Sequence, residues 1–167
     1  MKDIILTRRS IRAFLPKKVD EEKIEYLLKA AFAAPSAKNI QPWHFILIRD
    51  RKILDEIPKF HPYSKMLYEA PLAICVCGES VKDKFNGYWI LDCSAASANI
   101  LLAANSLGLG SVWLGIYPRQ ERINELRNLL EIPEDITPLS LLAIGYPNEE
   151  KPPSERFKKE RIHFDKW

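Results

Sequence analysis

The feature that most constrains the fold is a stretch, residues 88–107, that is apolar nearly all the way round when it is drawn as a helix. Such a helix must be covered on every side, so it belongs at the centre of a fold. Its longest uncharged run, residues 93–109, is rich in Ala, Ser and Asn and falls slightly short of the roughly 18 residues that indicate a membrane span. Gly108 is a typical helix stop. The sequence therefore predicts a buried central helix and no membrane-spanning segment.

Shorter periodic segments lie on both sides of this helix in the sequence. Apolar runs predict four strands, at residues 43–48, 72–76, 112–116 and 138–144. Helical spacing predicts further helices at residues 3–7, from an N-cap at Asp20 to a stop at Pro35, at residues 51–57, and from Pro118 onward. This order indicates an α+β (mixed α/β) class, with one central mixed sheet flanked by helices. The 167 residues suit a single domain, 1–167.

The composition argues against several classes of protein. The formal net charge of +3, from 25 basic and 22 acidic residues, is too small to indicate nucleic-acid binding. The cysteines, Cys75, Cys77 and Cys93, do not look like a disulfide framework; we interpret them as small core residues in a reducing cytoplasm, with a redox pair as the alternative. The N-terminus lacks the apolar core of a signal peptide, so we expect a cytoplasmic protein. The three histidines lie far apart and are expected to be structural or surface residues.

Basic residues concentrate near the two ends of the chain. Arg8, Arg9, Ser10 and Arg12 lie within five residues, and guanidinium forks beside a hydroxyl suit a phosphate. A solvated basic turn is the alternative. Near the C-terminus, Arg156 precedes two lysines in what is by default a charged, solvated segment. If the fold brings the two ends together, their basic residues form one anion site.

Two loops carry a different signal. Two prolines bracket a helix-to-strand loop in which Ser36, Asn39 and Gln41 present groups that can pair with the edge of a heterocycle. A rigid connector that caps its own backbone is the alternative. The glycines of residues 108–115 precede a strand, which is the wrong order for a dinucleotide-binding fingerprint. The absent Cβ of Gly115 would instead let the backbone approach a flat ligand, with a simple packing glycine as the alternative.

Taken together, these segments resemble the nitroreductase family of FMN-dependent flavoproteins. The resemblance depends on residues 8–14, the loop 34–43, the central helix with its Leu-Gly-Leu-Gly end, and Gly145-Tyr146-Pro147 followed by a basic tail. It extends over essentially the whole chain in the same order. It implies a three-layer α+β fold and a homodimer that exchanges its C-terminal tails and holds FMN at the subunit interface.

The resemblance also implies a set of FMN-binding residues. The N-terminal arm (residues 8–12) would hold the phosphate and reach toward the pyrimidine side of the flavin, and the tail arginine would join it on the phosphate. A lysine would lie near flavin N1 and O2, the end of the third strand would face N5 and O4 through its backbone, and the proline-bracketed loop would come from the partner subunit. The residues are Arg8, Arg9, Ser10, Arg12, Pro35, Ser36, Asn39, Lys65, Leu114, Gly115 and Arg156.

Two departures from the family pattern affect these assignments. Where the family often has a second basic residue two positions before the tail arginine, this chain has Ser154, and Lys151 or Lys158 is the candidate replacement. The chain also lacks the longer helical insertion that many members have before the central helix. The shortened region contains three aromatic residues that we predict to form a small lid, Phe85, Tyr88 and Trp89.

By the same resemblance, NADH or NADPH is the expected electron donor, and a nitroaromatic or quinone is the expected kind of small acceptor. No side chain is expected to react, because the flavin carries the chemistry. One shared pocket implies ping-pong kinetics. The alternatives are a flavoprotein with another reaction (reductive dehalogenation or flavin supply), a non-enzymatic FMN-binding protein, and a basic nucleic-acid module. The choice between NADH and NADPH stays open.

Overall fold

The structure is a computed structural model that describes residues 3–80 and 87–167. Within these residues the α-helices are α1 (Ile4–Thr7), α2 (Glu21–Phe32), α3 (Arg51–Phe60), α4 (Tyr88–Ser106) and α5 (Gln120–Leu130). The strands are β1 (Trp43–Ile48), β2 (Leu72–Glu79), β3 (Gly110–Gly115) and β4 (Ile136–Gly145). Short 3₁₀ helices cover Ala37–Asn39, Lys65–Tyr68 and Lys159–Arg161.

The four strands form one sheet in the order β1-β2-β4-β3, and each neighbouring pair is antiparallel. The α+β class, with helices around one sheet, is therefore confirmed, whereas the expected mixture of strand directions is wrong for these four strands. The strand that follows a connecting helix can run parallel or antiparallel to the strand before it, so the order of helices and strands along the chain does not define strand direction. A parallel contact enters at the outer edge of β3, where Ser10 forms an isolated bridge with Ser111.

Helices cover both faces of the sheet, which makes the sheet the middle of three layers. Successive side chains of a strand point to opposite faces. On one face of β2, the side chains of Ala73, Cys75 and Cys77 join the apolar cluster of α3 and α5. On the other face, those of Leu72, Ile74 and Val76 join the apolar cluster of α2 and α4. Because β2 is covered on both faces, its sequence is a continuous apolar run without alternation.

Helix α4 is the central helix that the sequence predicts. Its Ile100 and Ala104 have no exposed surface. At its end, Leu109 N–H donates to the Ala104 carbonyl at 2.8 Å, and Gly108 adopts a φ of 72° that favours glycine. The cover is incomplete at the other end, where Leu91 is 63% exposed. A single chain therefore leaves the start of its central helix partly uncovered.

Several helix boundaries differ from the predicted ones. Asp20 does precede α2, but its carboxylate accepts a hydrogen bond from the Tyr146 hydroxyl at 2.6 Å and caps no backbone N–H of the helix. Helix α2 ends at Phe32, before the proline that was expected to stop it. Helix α3 continues past residue 57 to Phe60, and α5 begins at Gln120 rather than directly at the preceding proline.

The three cysteines are free and buried, which agrees with the prediction of small core residues. The Sγ atoms of Cys75 and Cys77 lie 3.5 Å apart on one face of β2. Their hydrogen bond, together with burial, raises the pKa of Cys75, and burial raises the pKa of Cys93 to about 12, so both thiols stay protonated at neutral pH. Over residues 3–80 and 87–167, no helix could span a membrane and no His, Cys, Asp or Glu cluster could hold a metal ion.

Candidate active site

A cavity of about 430 Å³, here named the β3 cavity, lies beside the end of β3, next to α5 and the segment 61–66. Predicted residues from three separate parts of the chain line it together: Arg12, Lys65, Leu114 and Gly115. Arg12 comes from the N-terminal arm, Lys65 begins a 3₁₀ helix, and the other two end β3. The fold therefore brings to one place the residues that were expected on the ring side of a flavin.

Gly115, the last residue of β3, gives the cavity an open wall. A Cβ built on Gly115 would meet no atom within 4 Å, so the space in front of its backbone is free. Its carbonyl accepts two hydrogen bonds, from His61 Nε2 at 3.1 Å and from Arg122 Nη1 at 2.8 Å. The backbone at Gly115 is therefore open to close approach by a planar ligand.

His61 is only 1% exposed, and both of its ring nitrogens have partners. Nε2 faces the Gly115 carbonyl, which can only accept, so Nε2 carries the proton. Nδ1 accepts a hydrogen bond from the Tyr63 N–H at 3.3 Å. Burial lowers the pKa of His61, the Gly115 hydrogen bond raises it, and the charge of Arg122 lowers it further. The ring is therefore neutral at pH 7 and held in one tautomer.

The β3 cavity is positively charged. Arg12, Lys65 and Arg122 line it, and its lining contains no Asp or Glu among the described residues. Three like charges around one small space attract anions and stabilise negative charge that develops there. The cavity therefore suits a planar ligand that is anionic or becomes anionic.

The N-terminal arm meets the chain that leads into the C-terminal tail. Arg12 N–H donates to the Glu149 carboxylate at 2.5 Å, and Lys151 Nζ lies 2.9 Å from the same carboxylate. These two contacts lower the pKa of Glu149. Lys151 Nζ also donates to the Ser10 carbonyl at 2.8 Å. The fold thus brings the N-terminal arm to residues 149–151, just before the C-terminal tail, so of the basic residues near the C-terminus Lys151 is the one that these contacts bring to the arm.

A larger cavity, of about 700 Å³, opens next to this junction, and its charged lining residues are Arg8, Arg9 and Lys151 together with Glu149 and Glu150. The Arg9 guanidinium donates to the Pro152 carbonyl, and Lys151 is held as described above. Arg8 has no hydrogen bond or ion pair with any described residue, so its guanidinium is available to an anion. Of the two candidate replacements for the second tail ligand, Lys151 is thus already engaged by its own chain.

The C-terminal tail (residues 152–167) is exposed along its whole length. The side chains of Arg156 and Lys158 make no hydrogen bond or ion pair in the described parts of the chain. Phe164 and Trp167 are 83% and 101% exposed. Among the residues that the structure describes, therefore, Arg156 makes no hydrogen bond with the N-terminal arm, and the aromatic anchors of the tail stay exposed, although the Trp167 ring stacks on His163 at 4.2 Å between ring centroids.

The loop between α2 and β1 lines neither of the two cavities. Gln41 N–H donates to Ser36 Oγ at 3.0 Å, and Gln41 Nε2 donates to Asn39 Oδ1 at 2.7 Å. Lys38, Asn39 and Gln41 have φ values of 50°, 56° and 54°, which non-glycine residues rarely adopt. The loop is thus a self-capped, strained connector, and its own chain does not bring Pro35, Ser36 or Asn39 to the β3 cavity.

Of the three residues that were predicted to form an aromatic lid, the two that the structure describes, Tyr88 and Trp89, line neither cavity. Phe85 lies outside the described residues, and Tyr88 is 50% exposed at the start of α4. Trp89 is a correction: it is 7% exposed, packs edge-on against Tyr117 at 5.2 Å between ring centroids, and belongs to the core. Neighbouring positions of a helix point in directions about 100° apart, and in α4 this turn takes Trp89 into the core while Tyr88 stays half-exposed.

Six residues that line the β3 cavity were not predicted as site residues: His61, Pro62, Tyr63, Met66, Trp113 and Arg122. Tyr63 is two residues before Lys65, so its position beside a predicted site residue was a usable signal. Arg122 is one of several charged residues on α5, and nothing in the local sequence distinguishes it from the others. Its place in the cavity follows only from the packing of α5 beside β3.

The chain is similar in sequence and in fold to known proteins of one family. The model of the nitroreductase family matches residues 5–61 and 58–146. A protein of Methanothermobacter thermautotrophicus, named "Putative NADH dehydrogenase/NAD(P)H nitroreductase", is 48% identical, over 99% of this chain and 86% of its own length. A protein of Archaeoglobus fulgidus with the same name is 49% identical, over 98% of this chain and 97% of its own length. The solved structure of an FMN-dependent nitroreductase from Clostridium difficile superposes with a TM-score of 0.92 at 32% identity, and the match covers 100% of both chains.

Proposed function

This chain belongs to the nitroreductase family, and we propose that it is an FMN-dependent oxidoreductase that passes electrons from NAD(P)H to a small acceptor. The similar proteins named above include two that are named for NAD(P)H and one that is named for FMN. The observation that carries the proposal is the meeting of Arg12, Lys65 and Gly115 at one cavity whose described lining contains no acidic residue.

The residues of the β3 cavity fit FMN. The open space in front of Gly115 leaves room for a flat ring against the backbone, where a larger residue would place a side chain. The three cations of the cavity, with no carboxylate among the lining residues that the structure describes, match a ring that becomes negatively charged on reduction. Arg8 remains available for a phosphate beyond the arm.

Each part of the site has a separate task in this proposal. Arg12 and Lys65 hold the pyrimidine side of the flavin, and the ring lies against the backbone at Leu114 and Gly115. Arg8 and Ser10 hold the phosphate, and Arg9 instead fastens the arm to the carbonyl of Pro152. When bound, FMN supplies the two-electron chemistry between NAD(P)H and the acceptor. The chain's own residues bind, orient and stabilise charge, and no described side chain of the cavity is required as a proton donor.

We further propose that the working unit is a homodimer in which the tails are exchanged. The tail has four large apolar side chains exposed to solvent: Phe157, Ile162, Phe164 and Trp167. Burying one such side chain stabilises an assembly by about 1.5–3 kcal/mol, so a second copy that covers them is favoured. The partner would then supply Arg156 to the phosphate, and Pro35, Ser36 and Asn39 to the far side of the ring.

The free cysteines fit a reducing compartment, so the proposed location is the cytoplasm.

The proposal is tested by the visible spectrum of the purified protein and its anaerobic titration with NADH and NADPH. The expected result is about one FMN per chain, bleached by at least one of the two nucleotides. Parallel double-reciprocal lines are expected with the acceptor, because donor and acceptor would use the same space in turn. A protein that takes up no FMN would refute the proposal, and one that binds FMN but is reduced by neither nucleotide would be a non-enzymatic flavin-binding protein.

The acceptor is a separate question with its own assay. Steady-state rates with a nitroaromatic, a quinone and a halogenated phenol, each at matched concentration, rank the three classes. The proposal expects the nitroaromatic or the quinone to be turned over fastest. A higher rate with the halogenated phenol would assign the same site to reductive dehalogenation.

A further inference from the structure

We propose that His61 and Arg122 are positioning residues for the flavin site, which they serve by fixing the Gly115 peptide group from two different elements. The inference rests on the proposed function, because it assigns a task to residues around the same cavity. Neither residue was predicted from the sequence as part of the site, and neither is needed to explain the sheet.

Gly115 needs such an anchor because of where it lies in β3. Ser111 C=O accepts the Ile11 N–H at 3.0 Å, on the side of β3 that faces away from β4. In an antiparallel strand, the N–H and C=O of successive residues point alternately toward one neighbouring strand and away from it. Gly115, four residues after Ser111, therefore also directs its N–H and C=O away from β4. It is the last residue of the strand, and glycine has little restriction on φ and ψ. The Ile116 N–H of the same peptide group donates to the Leu139 carbonyl of β4 at 3.2 Å, so the sheet holds this peptide from one side, and the Gly115 carbonyl on the other side is held only by contacts from outside the sheet.

His61 supplies the first contact and connects it with Lys65. Its Nε2–H donates to the Gly115 carbonyl at 3.1 Å. Its own carbonyl accepts hydrogen bonds from the Ser64 N–H at 3.2 Å and the Ser64 hydroxyl at 2.8 Å, directly before the 3₁₀ helix that begins at Lys65. One buried ring thus joins the two segments that the proposed function places on the same flavin. The distance between Lys65 and Gly115 therefore depends on His61.

Arg122 supplies the second contact and brings a charge with it. Its Nη1 donates to the Gly115 carbonyl at 2.8 Å, and its guanidinium lies 5.7 Å from the centre of the Tyr63 ring. A guanidinium has five N–H donors in a rigid plane, so one contact to Gly115 leaves others directed elsewhere. Since Arg122 lines the cavity, its positive charge also acts on whatever negative charge develops there.

The test compares four variants in the full-length protein loaded with FMN. Arg122→Gln removes the charge, Arg122→Lys keeps it, and His61→Phe removes both ring hydrogen bonds at similar volume. Arg119→Gln is the matched control, because Arg119 is an exposed residue directly before α5 whose side chain makes no hydrogen bond or ion pair with any described residue. The measurements are the FMN dissociation constant, the visible spectrum of bound FMN, and the rate constant of its anaerobic reduction by NADH or NADPH.

Arg122→Gln is expected to slow flavin reduction about tenfold and to shift the visible spectrum, as befits the loss of a charged hydrogen-bond donor. Arg122→Lys is expected to restore most of the rate, and His61→Phe to raise the FMN dissociation constant about tenfold. Arg119→Gln should match wild type in all three measurements. Restoration of the rate by lysine would show that the positive charge at position 122 acts on the flavin. The shift of the visible spectrum separates a positioning role from a structural one, since a merely structural arginine would not affect the spectrum of bound FMN.

The inference is overturned if Arg122→Gln and Arg119→Gln have the same reduction rate, spectrum and FMN affinity. If His61→Phe does not fold, the two Arg122 variants decide the question alone. Failure of the proposed function looks different, because wild type itself would then bind no FMN or resist reduction by both nucleotides. Wild type that is reduced normally beside unaffected variants would refute the positioning role only.

Discussion

Replacing Gly115 with alanine should separate FMN binding from folding. A Cβ at Gly115 meets no atom within 4 Å in the protein alone, so the added methyl group has room in the absence of a ligand. Its φ lies outside the positive range that favours glycine, so alanine can adopt the native backbone without strain. The methyl group would nevertheless occupy the space against which the flavin ring is proposed to lie.

The two effects have opposite signs and can be estimated. A compatible glycine-to-alanine change stabilises a protein by about 0.4–1 kcal/mol, because the unfolded chain loses freedom. For a chain of this size, that raises the apoprotein Tm by about 1–4 °C. Forcing one extra methyl group into a well-packed contact costs about 1–3 kcal/mol. Applied to FMN binding, this corresponds to a dissociation constant about 5- to 150-fold higher than that of wild type.

Gly78→Ala is the matched control, because its added Cβ would lie 2.5 Å from Trp89 Cε3 and 2.9 Å from Cys93 Sγ. The control should lower the apoprotein Tm by several degrees and leave the FMN affinity of the folded protein unchanged. Apoprotein Tm comes from calorimetry, and FMN affinity comes from the quenching of flavin fluorescence. If Gly115→Ala binds FMN as tightly as wild type, the ring does not lie against β3 and the proposed site is misplaced. If it destabilises the apoprotein as much as the control does, the space in front of Gly115 is not open.

Three further predictions concern the tail, His61 and Glu149. Deleting residues 152–167 should release FMN and weaken the dimer, and size-exclusion chromatography of a truncated protein that stays yellow and dimeric would contradict tail exchange. Burial lowers the pKa of His61 below its ordinary 6.5, so as the pH falls the unfolded chain is protonated at this residue before the folded chain is. The free energy of unfolding should therefore be greatest above pH 6.5 and decline below it. Urea unfolding of His61→Phe should lack this decline. The hydrogen bonds from Arg12 N–H and Lys151 lower the pKa of Glu149, so the ionised carboxylate should stabilise the fold above pH 4.5 and lose this effect as the pH falls through the lowered pKa. Glu149→Gln should therefore lose less Tm in acid than wild type. An acid profile of Tm that is the same in both proteins would count against the contact.

The parts of the fold that local pattern determines were predictable. The continuous apolar run of β2 and the all-round apolar surface of α4 indicated their burial before any contact was known. Strand direction was not predictable, because the same alternation of elements is compatible with either direction. The lid failed at Trp89 for a similar reason: the aromatic residues were identified, but which of them faces inward depends on how α4 lies on the sheet.

The candidate site also contains some residues that the sequence predicted and others whose place depends on how the elements pack. Arg12, Lys65 and Gly115 were assigned through a resemblance that depends on motifs, and they do meet at one cavity. Arg122 and the contact of His61 with Gly115 were not found, because no motif marks them and their role appears only when α5 and residue 61 converge on β3. Arg9 looked equivalent to its neighbours in the sequence, yet its side chain turns to the carbonyl of Pro152.

A single chain leaves unfinished the surfaces that the proposed cofactor would need. The start of α4 exposes Leu91, the tail exposes Trp167, and the strained loop around Asn39 faces neither cavity of its own chain. Strain in a loop and apolar side chains in water both raise the free energy of an isolated chain, and both persist only where the surroundings compensate for them. A symmetric partner that receives the tail and contributes its own loop would resolve these problems together. Cofactor binding and dimerisation should therefore be lost together, at the same concentration of denaturant, and not one after the other.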